Sequence, residues 1–174
     1  MGLNCNQIRV GDAGKREEDD MGLFDGFGHV ALKVNDLGAS IDFYTRIGFP
    51  EMLRLLDAEG KPWIVYHRIS EHLYLELLPG GDGGPVPDQT RTGVNHLCLT
   101  VRNADEAEKK LAEAGVKLSR PRKTVRGVDG NWGMWIEDPD GNRIEIQEMA
   151  PQCIQFEAER NLAAGAPPHV LTAY

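Results

Sequence analysis

Two histidines and two glutamates interrupt otherwise apolar segments of the sequence. His29 and His96 each open a run in which hydrophobic residues alternate with others, and Glu76 and Glu145 are each flanked by aliphatic residues. A carboxylate inside a packed sheet is unfavourable unless it is paired or binds a metal. Imidazole nitrogens and carboxylate oxygens together suit borderline divalent ions. The four residues therefore predict a metal site with two nitrogen and two oxygen ligands, for Ni, Co, Zn, Mn or Fe(II).

The four candidate ligands occupy matching places in an internal repeat. An offset of 67 positions relates the two histidines and also Gly48 and Gly115, which end a predicted helix in each half, while the two glutamates differ by 69. Self-similarity of this kind indicates a duplicated structural unit. Each half would then supply one histidine and one glutamate, on the face of its sheet opposite the aliphatic residues.

Hydrophobic periodicity predicts the same order of elements in both halves. In the first half we expect a helix ended by Gly48 and strands at 29–34, 51–57, 63–69 and 72–78. In the second half we expect a helix at 105–114 and strands at 95–101, 116–119, 132–138 and 142–148. The sequence thus predicts an α+β fold of two βαβββ modules, at 26–80 and 93–150, joined by a Gly- and Pro-rich linker at 81–92.

The two ends of the chain fall outside the repeat. Residues 1–22 carry a charged run without a sustained apolar period, which predicts a disordered tail or an arm that folds onto a partner subunit. Residues 151–174 predict an amphipathic helix, roughly 152–164, and a short extended tail. We expect that helix either to cover a sheet edge or to contact a second subunit.

Composition narrows the classes of partner. The 174 residues include 27 acidic and 19 basic side chains, a net charge of −8, which argues against nucleic acid as a partner. No apolar run has the length of a membrane span, and the first 20 residues lack the pattern of a secretory signal. The three scattered cysteines form no CxxC pair, which favours a reducing compartment. We therefore expect a cytoplasmic protein that acts on a small molecule and has no nucleic-acid or membrane partner.

Other polar and aromatic residues lack counterparts in the repeat. His67 and His72 are expected to face solvent or to line the mouth of the site, and residues 131–133 are expected to form a loop that could close over a ligand. Three residues are expected to contact the substrate: Lys33, Trp135 and Arg143.

The segments around the candidate ligands resemble the vicinal oxygen chelate superfamily, and within it the glyoxalase I (lactoylglutathione lyase) branch. They are GHVALKVND at 28–36, SIDFYTRIGF at 40–49, LYLEL at 73–77, GVNHLCL at 93–99 and EDPDGNRIEI at 137–146. The resemblance implies a curved, barrel-like mixed sheet around a metal, in many relatives completed across a homodimer interface. It also implies action on the hemithioacetal of a 2-oxoaldehyde and glutathione, in which a glutamate moves a proton through an enediolate. Glu145 would be the leading base and Glu76 a second candidate.

Two positions depart from the glyoxalase pattern. Compact bacterial glyoxalases have Arg four residues after the first histidine, where this chain has Lys33, and Asn four residues after the first glutamate, where it has Gly80. Lysine lacks the planar, bidentate geometry of arginine, and glycine offers no side chain. These changes leave the predicted metal ligands in place, but the question whether glutathione is the cosubstrate stays open.

Other reactions of the superfamily remain as alternatives. An Fe(II)-dependent extradiol dioxygenase would use His29, His96 and Glu145, but Glu76 would take a position that catechol or oxygen needs. A non-catalytic protein that binds a drug or metabolite would generally lack the metal ligands. An acyl-CoA epimerase would use similar proton chemistry, but such relatives carry Gln in place of Glu76.

Overall fold

The structure is a computed structural model that describes residues 24, 26–168 and 170. The tail predicted at 1–22 and the last residues, 171–174, lie outside this range. In chain order the elements are β1 His29–Val34, α1 Leu37–Arg46, β2 Glu51–Leu56, β3 Pro62–Ser70, β4 Leu73–Pro79, β5 Leu97–Val101, α2 Ala104–Glu113, β6 Trp132–Glu137, β7 Arg143–Glu148 and α3 Ile154–Ala163. Across this described range, no helix combines the length and the hydrophobicity of a membrane-spanning segment.

The strands form two sheets with the same internal arrangement. The first sheet has the order β1-β4-β3-β2, and the second has the order β5-β7-β6. The first strand of each half runs parallel to the last one, β1 beside β4 and β5 beside β7, and the remaining pairs are antiparallel. The predicted α+β class with mixed sheets is confirmed, although the two sheets do not join into a closed barrel within the described residues.

The two βα units that open the halves have their helices at matching positions in the sequence repeat. Helices α1 and α2 begin and end 67 positions apart, the offset that also relates the two histidines. The carboxylate of Asp36 accepts a hydrogen bond from the Ala39 N–H at 3.0 Å, and the amide oxygen of Asn103 accepts one from the Glu106 N–H at 2.8 Å. Each N-cap satisfies a backbone donor that a helix leaves free in its first turn.

The strand predicted at 116–119 is wrong. The Ser119 N–H donates to the Trp135 carbonyl at 2.8 Å, but residues 116–119 are not part of either sheet. Pro121 follows two residues later and has no N–H with which to continue a hydrogen-bond ladder. The second sheet therefore has three strands in the described part of the chain, where four were predicted.

A buried tyrosine joins the two halves. Tyr44 is fully buried on α1, and its hydroxyl donates a 2.8 Å hydrogen bond to Oδ2 of Asp138, at the turn between β6 and β7. Burial, together with the Asp138 carboxylate, raises the pKa of Tyr44, so the phenol stays neutral. The other carboxylate oxygen of Asp138 accepts from the N–H groups of Asp140 and Asn142, which fixes the turn.

Two expectations about exposed residues are wrong. His67 is fully buried, and its Nδ1 lies 2.8 Å from the Phe49 carbonyl oxygen, because His67 shares the core-facing side of β3 with Val65. Residues 131–133 do not form a lid, since Asn131 is only 2% exposed and the next two residues begin β6. His72 is exposed, in agreement with the prediction that it faces solvent or lines the mouth of the site.

The C-terminal helix α3 is only partly covered. Ile154 and Ala158 are half-buried, whereas Leu162, on the same predicted apolar face, is 74% exposed. A contact of this helix with a second subunit stays a prediction.

Candidate metal and substrate site

Each sheet brings one histidine close to one glutamate. In the first sheet, His29 Nδ1 lies 3.6 Å from Oε1 of Glu76. At the second sheet, His96 lies just before β5, which begins at Leu97 and not at residue 95 as predicted, and its Nε2 is 3.4 Å from Oε2 of Glu145. The four candidate ligands thus form two equivalent pairs, one in each half of the chain.

The structure does not bring the two pairs together. Among the described residues, no group of three or more His, Cys, Asp or Glu side chains is arranged to hold a metal ion. Within one chain, the four candidate ligands therefore do not form a single cluster among the described residues. Each pair alone offers one nitrogen and one oxygen donor, which is half of the predicted set.

In the second pair, a hydrogen bond to Asn95 orients the ring of His96. His96 Nδ1 lies 3.0 Å from Oδ1 of Asn95, an oxygen that also accepts a hydrogen bond from Arg143 Nη2. Because Oδ1 can only accept, Nδ1 is the ring atom that donates here, which leaves Nε2 facing Glu145. Metal-binding histidines are typically held in this way, with the second ring N–H donated to an oxygen. The tautomer of His96 therefore fits a metal ligand.

The pair on the first sheet has a buried carboxylate. Glu76 is 7% exposed, whereas more than half of the His29 side chain is exposed. Tyr66 lies opposite Glu76 in the β3–β4 register, and a hydrogen bond to that carboxylate raises the pKa of the Tyr66 phenol. The burial of Glu76 is unfavourable for a charged group unless a cation or hydrogen-bond donors face it. The chemistry of this pair fits a ligand pair for a divalent ion.

Trp135 lies beside both candidate ligands of the second pair. Its ring lies edge-on to the His96 ring, with centroids 4.9 Å apart, and it is the register partner of Glu145. Two guanidinium groups lie near the indole, Arg120 at 4.7 Å and Arg143 at 5.7 Å from the ring centroid. Trp135 and Arg143, both predicted from the sequence, therefore lie beside the candidate ligands of this sheet.

Lys33, the third predicted substrate residue, lies on the first sheet. It is exposed near the end of β1, on the same side of the strand as His29. A Cβ placed on Gly80 would lie 3.5 Å from Lys33 Nζ, so the two positions that depart from the glyoxalase pattern are neighbours in space. The structure does not place Lys33 among the residues that line a pocket with Trp135 or Arg143.

Comparison with known proteins assigns the family. Residues 26–146 match the model of the glyoxalase/bleomycin resistance protein/dioxygenase superfamily. The chain belongs to this superfamily. It is 34% identical over 124 residues to a lactoylglutathione lyase of Escherichia coli O157:H7, a match that covers 69% of this chain and 90% of the relative.

Solved structures confirm the glyoxalase-like fold. A glyoxalase family protein from Enterococcus faecalis aligns with a TM-score of 0.62 at 22% identity, over 72% of this chain and 98% of the other. A glyoxylase/bleomycin resistance protein/dioxygenase domain from Frankia sp. EAN1pec aligns with a TM-score of 0.59 at 26% identity, over 73% of this chain and 99% of the other. The superfamily match ends at residue 146, so helix α3 lies beyond it.

A cavity opens beside the second pair in this superfamily member. It has a volume of about 140 Å³, and its lining includes Arg120, Asp129, Gly133, Trp135, Glu145 and Gln147. We call it the Glu145 cavity. A Cβ placed on Gly133 would lie 3.5 Å from Oε1 of Glu145, so this glycine leaves room next to the carboxylate. The cavity combines a carboxylate that could accept a proton with a nearby guanidinium that could bind an anion.

Three residues that line this cavity, Gln147, Arg120 and Asp129, were not identified from the sequence. Gln147 could have been found, because it lies two residues after Glu145 and hence on the same face of β7. Arg120 and Asp129 come from the irregular segment between α2 and β6, where no periodicity in the sequence indicates which side chains point toward the cavity. Cys98 is the register partner of Glu145, and burial, with the nearby carboxylate, raises its pKa to about 11. Its thiol is therefore protonated at neutral pH and is a poor nucleophile.

Proposed function

We propose that this chain is a metal-dependent enzyme of the glyoxalase I type, a lyase or isomerase that acts on the adduct of a 2-oxoaldehyde and a thiol. The observation that carries the proposal is the pair of equivalent His–Glu sites, His29 with Glu76 and His96 with Glu145. Two donors that bind one ion at about 2.1 Å lie roughly 3.0–3.4 Å apart at octahedral or tetrahedral angles. The separations within the two pairs are close to this range. The similarity to a lactoylglutathione lyase supports the same reaction class.

We propose further that two copies of the chain complete each metal site. The two pairs are separate within one chain, and each alone supplies only two protein ligands. In a homodimer with twofold symmetry, the first pair of one subunit can meet the second pair of its partner, and the same contact occurs twice. The ligand set would then be His29 and Glu76 from one subunit and His96 and Glu145 from the other. Ni, Co, Zn, Mn and Fe(II) all accept such a set.

Glu145 is the proposed base of the reaction. It lines a cavity, faces the second-sheet histidine and has free space at Gly133. Its carboxylate would remove a proton from one substrate carbon and return it to the neighbouring carbon. A bound divalent ion would polarise the substrate oxygens and stabilise the charge that develops on them. Glu76 is the second candidate for proton transfer.

Arginine and tryptophan side chains would orient the substrate. Trp135 offers an apolar ring surface beside Glu145, and Arg143 is held near that ring by hydrogen bonds to Asn95. A guanidinium group can bind a carboxylate or an oxyanion through two parallel hydrogen bonds. The proposed substrate therefore has an acidic group near its reacting carbons or in its thiol portion.

The dioxygenase alternative is less well supported. An Fe(II) dioxygenase needs open coordination positions for both catechol and oxygen. Glu76 is buried and lies 3.6 Å from His29, so its carboxylate is available as a fourth ligand. A fourth protein ligand favours proton transfer over ring cleavage.

A direct assay tests the proposed reaction. The protein, freed of metal by a chelator and reloaded in turn with Ni, Co, Zn, Mn or Fe(II), is mixed with methylglyoxal and glutathione, and thioester formation is followed. The expected result is turnover with at least one ion and its loss in Glu145→Gln, which keeps the size of the side chain but removes the base. Oxygen consumption with catechol under Fe(II) is measured in parallel. Absence of turnover with every ion, or full activity in Glu145→Gln, would contradict the proposal.

A further inference from the structure

The segment that follows the superfamily match is attached to the wall of the Glu145 cavity. The match ends at residue 146, whereas the chain continues through Ala150 into α3 at 154–163. This C-terminal segment, residues 150–163, contacts the tight turn formed by residues 127–131. Within the turn, the Gly127 N–H donates to the Asn131 carbonyl at 2.9 Å.

Asn131 is the buried centre of this contact. Its Oδ1 accepts a hydrogen bond from the Ala150 N–H at 2.8 Å, and its Nδ2 donates to Oε1 of Gln155 at 3.1 Å. The same Nδ2 donates to Asp129 at 2.9 Å. Asn131 is 2% exposed, so loss of these partners would leave its amide buried without compensation. One side chain thus links the turn to both the beginning of the C-terminal segment and its helix.

Asp129 is held from two sides. Its Oδ2 accepts hydrogen bonds from Gln147 at 2.9 Å, on β7, and from Gln155 at 3.3 Å, on α3. The Ile154 N–H also donates to the Asp129 carbonyl at 3.2 Å. Asp129 and Gln147 line the Glu145 cavity, whereas Gln155 and Ile154 do not. The C-terminal segment therefore acts on the cavity from behind its wall.

We infer that Asn131 and Gln155 are positioning residues, through which the C-terminal segment fixes the 127–131 turn and so sets the width of the Glu145 cavity. Neither residue is proposed to take part in proton transfer. The expected effect on KM rests on the proposed function. The attachment of the turn to the C-terminal segment does not, because it is a property of the fold. A wall that moves changes how well the substrate fits, and leaves the ligands His96 and Glu145 in place.

Amide hydrogen exchange and kinetics together test this inference. Gln155→Met keeps the length of the side chain and removes both hydrogen bonds, and Asn131→Asp keeps its shape but places a second carboxylate beside Asp129. Glu159→Gln, an exposed change on the same helix, is the matched control. In both test variants we expect exchange in peptides that cover residues 127–131 to rise about fivefold or more, with no change in the control.

Turnover of the methylglyoxal–glutathione adduct provides the second measurement. We expect KM to rise about fivefold in Gln155→Met, with kcat within about twofold and with unchanged bound Ni(II). A purely structural defect would instead lower kcat and metal content together. Unchanged exchange at 127–131 would overturn the inference. Raised exchange with unchanged KM would also overturn it, because the turn would then not determine how the substrate fits the Glu145 cavity. If the wild-type protein has no turnover, the proposed function fails, and the exchange result alone decides the attachment.

Discussion

Gly80 and Lys33 are neighbours, and a side chain at position 80 would come into contact with the Lys33 ammonium. A Cβ on Gly80 would lie 3.5 Å from Nζ and 3.9 Å from Cε of Lys33. Gly80 has a φ of +88°, a conformation that asparagine tolerates better than most residues. Compact bacterial glyoxalases have Arg and Asn at these two positions. The two departures therefore lie side by side at the edge of the first sheet.

Restoring the glyoxalase pattern should improve the use of glutathione. In the double variant Lys33→Arg/Gly80→Asn, we expect KM for the methylglyoxal–glutathione adduct to fall roughly three- to tenfold, because a guanidinium binds a carboxylate through two hydrogen bonds. Steady-state kinetics of the nickel-loaded protein measure the change. The adduct of 2-mercaptoethanol, which has no carboxylate, is the control and should show the same KM in both proteins. An equal fall for both adducts would contradict a role in recognising glutathione.

Mixed dimers should reveal whether each site uses two subunits. Glu76→Ala and Glu145→Ala alone should each abolish turnover, because either change removes a ligand from both sites. When the two variants are unfolded together and refolded, a heterodimer has one site with all four ligands. Statistical mixing then predicts recovery of about a quarter of wild-type activity.

The control for this experiment is each variant refolded alone, which should stay inactive. The two variants mixed without unfolding should recover activity only as fast as subunits exchange. No recovery after joint refolding, in material shown to be dimeric, would place all four ligands of a site in one subunit.

Local patterns were sufficient to predict the repeated units. Gly48 and Gly115, which follow the two helices, act over a few residues, so their effect is visible in the sequence. The face of β3 that carries His67 was assigned wrongly, because alternation shows which residues share a face but not which face is covered. Residues 116–119 have the side chains of a strand, but they do not continue the backbone hydrogen bonds of the sheet beyond the one from Ser119 to Trp135.

The candidate site was predictable only in part, for a related reason. The parity of strand residues places one histidine and one glutamate on the same face of each sheet. Whether those faces meet depends on the arrangement of sheets and subunits, which no short-range pattern encodes. The link between Asn131 and Gln155 joins side chains 24 residues apart from irregular segments, so sequence periodicity could not indicate it.

A side chain larger than alanine at position 133 should disturb Glu145. In Gly133→Val, the added methyl groups would extend beyond a Cβ that already lies 3.5 Å from Oε1 of Glu145. We expect affinity for Ni(II) to fall at least about tenfold, as happens when the orientation of a ligand is disturbed, with the fold retained. Equilibrium dialysis against Ni(II) measures the affinity, and circular dichroism checks the fold. Gly133→Ala, whose Cβ makes only ordinary contact, is the control and should bind nearly as well as the wild type.

The bond between Tyr44 and Asp138 should contribute measurably to stability. Tyr44→Phe removes a buried 2.8 Å hydrogen bond to a carboxylate that is itself 5% exposed. We expect the free energy of unfolding to fall by about 1.5–3 kcal/mol, the range for hydrogen bonds to charged groups. Urea denaturation gives this value. Tyr74→Phe, a change at a half-buried tyrosine on β4, should cost clearly less, and equal losses in the two variants would argue against a specific role for the bond.

Asp129 should make the stability of the wall dependent on pH. Burial raises the pKa of this carboxyl, but hydrogen bonds from Asn131 and Gln155 outweigh that effect and leave the pKa below its usual value. A group with a lowered pKa in the folded state stabilises the protein above its unfolded pKa, and this contribution disappears as the pH falls through the folded value. The stabilisation by Asp129 is therefore complete at neutral pH and lost in acid.

Comparison with Asp129→Asn isolates this contribution. At pH 7 we expect the wild type to be more stable by about 1 kcal/mol, less than for a fully buried charge because Asp129 is partly exposed. The difference should shrink as the pH falls below about 4, where the wild-type carboxyl becomes protonated in the unfolded chain and then in the folded protein. Urea denaturation of both proteins across this range measures the difference. A gap that stays constant down to the lowest pH would mean that the charge of Asp129 does not stabilise the turn, and that its hydrogen bonds act as those of a neutral acceptor would.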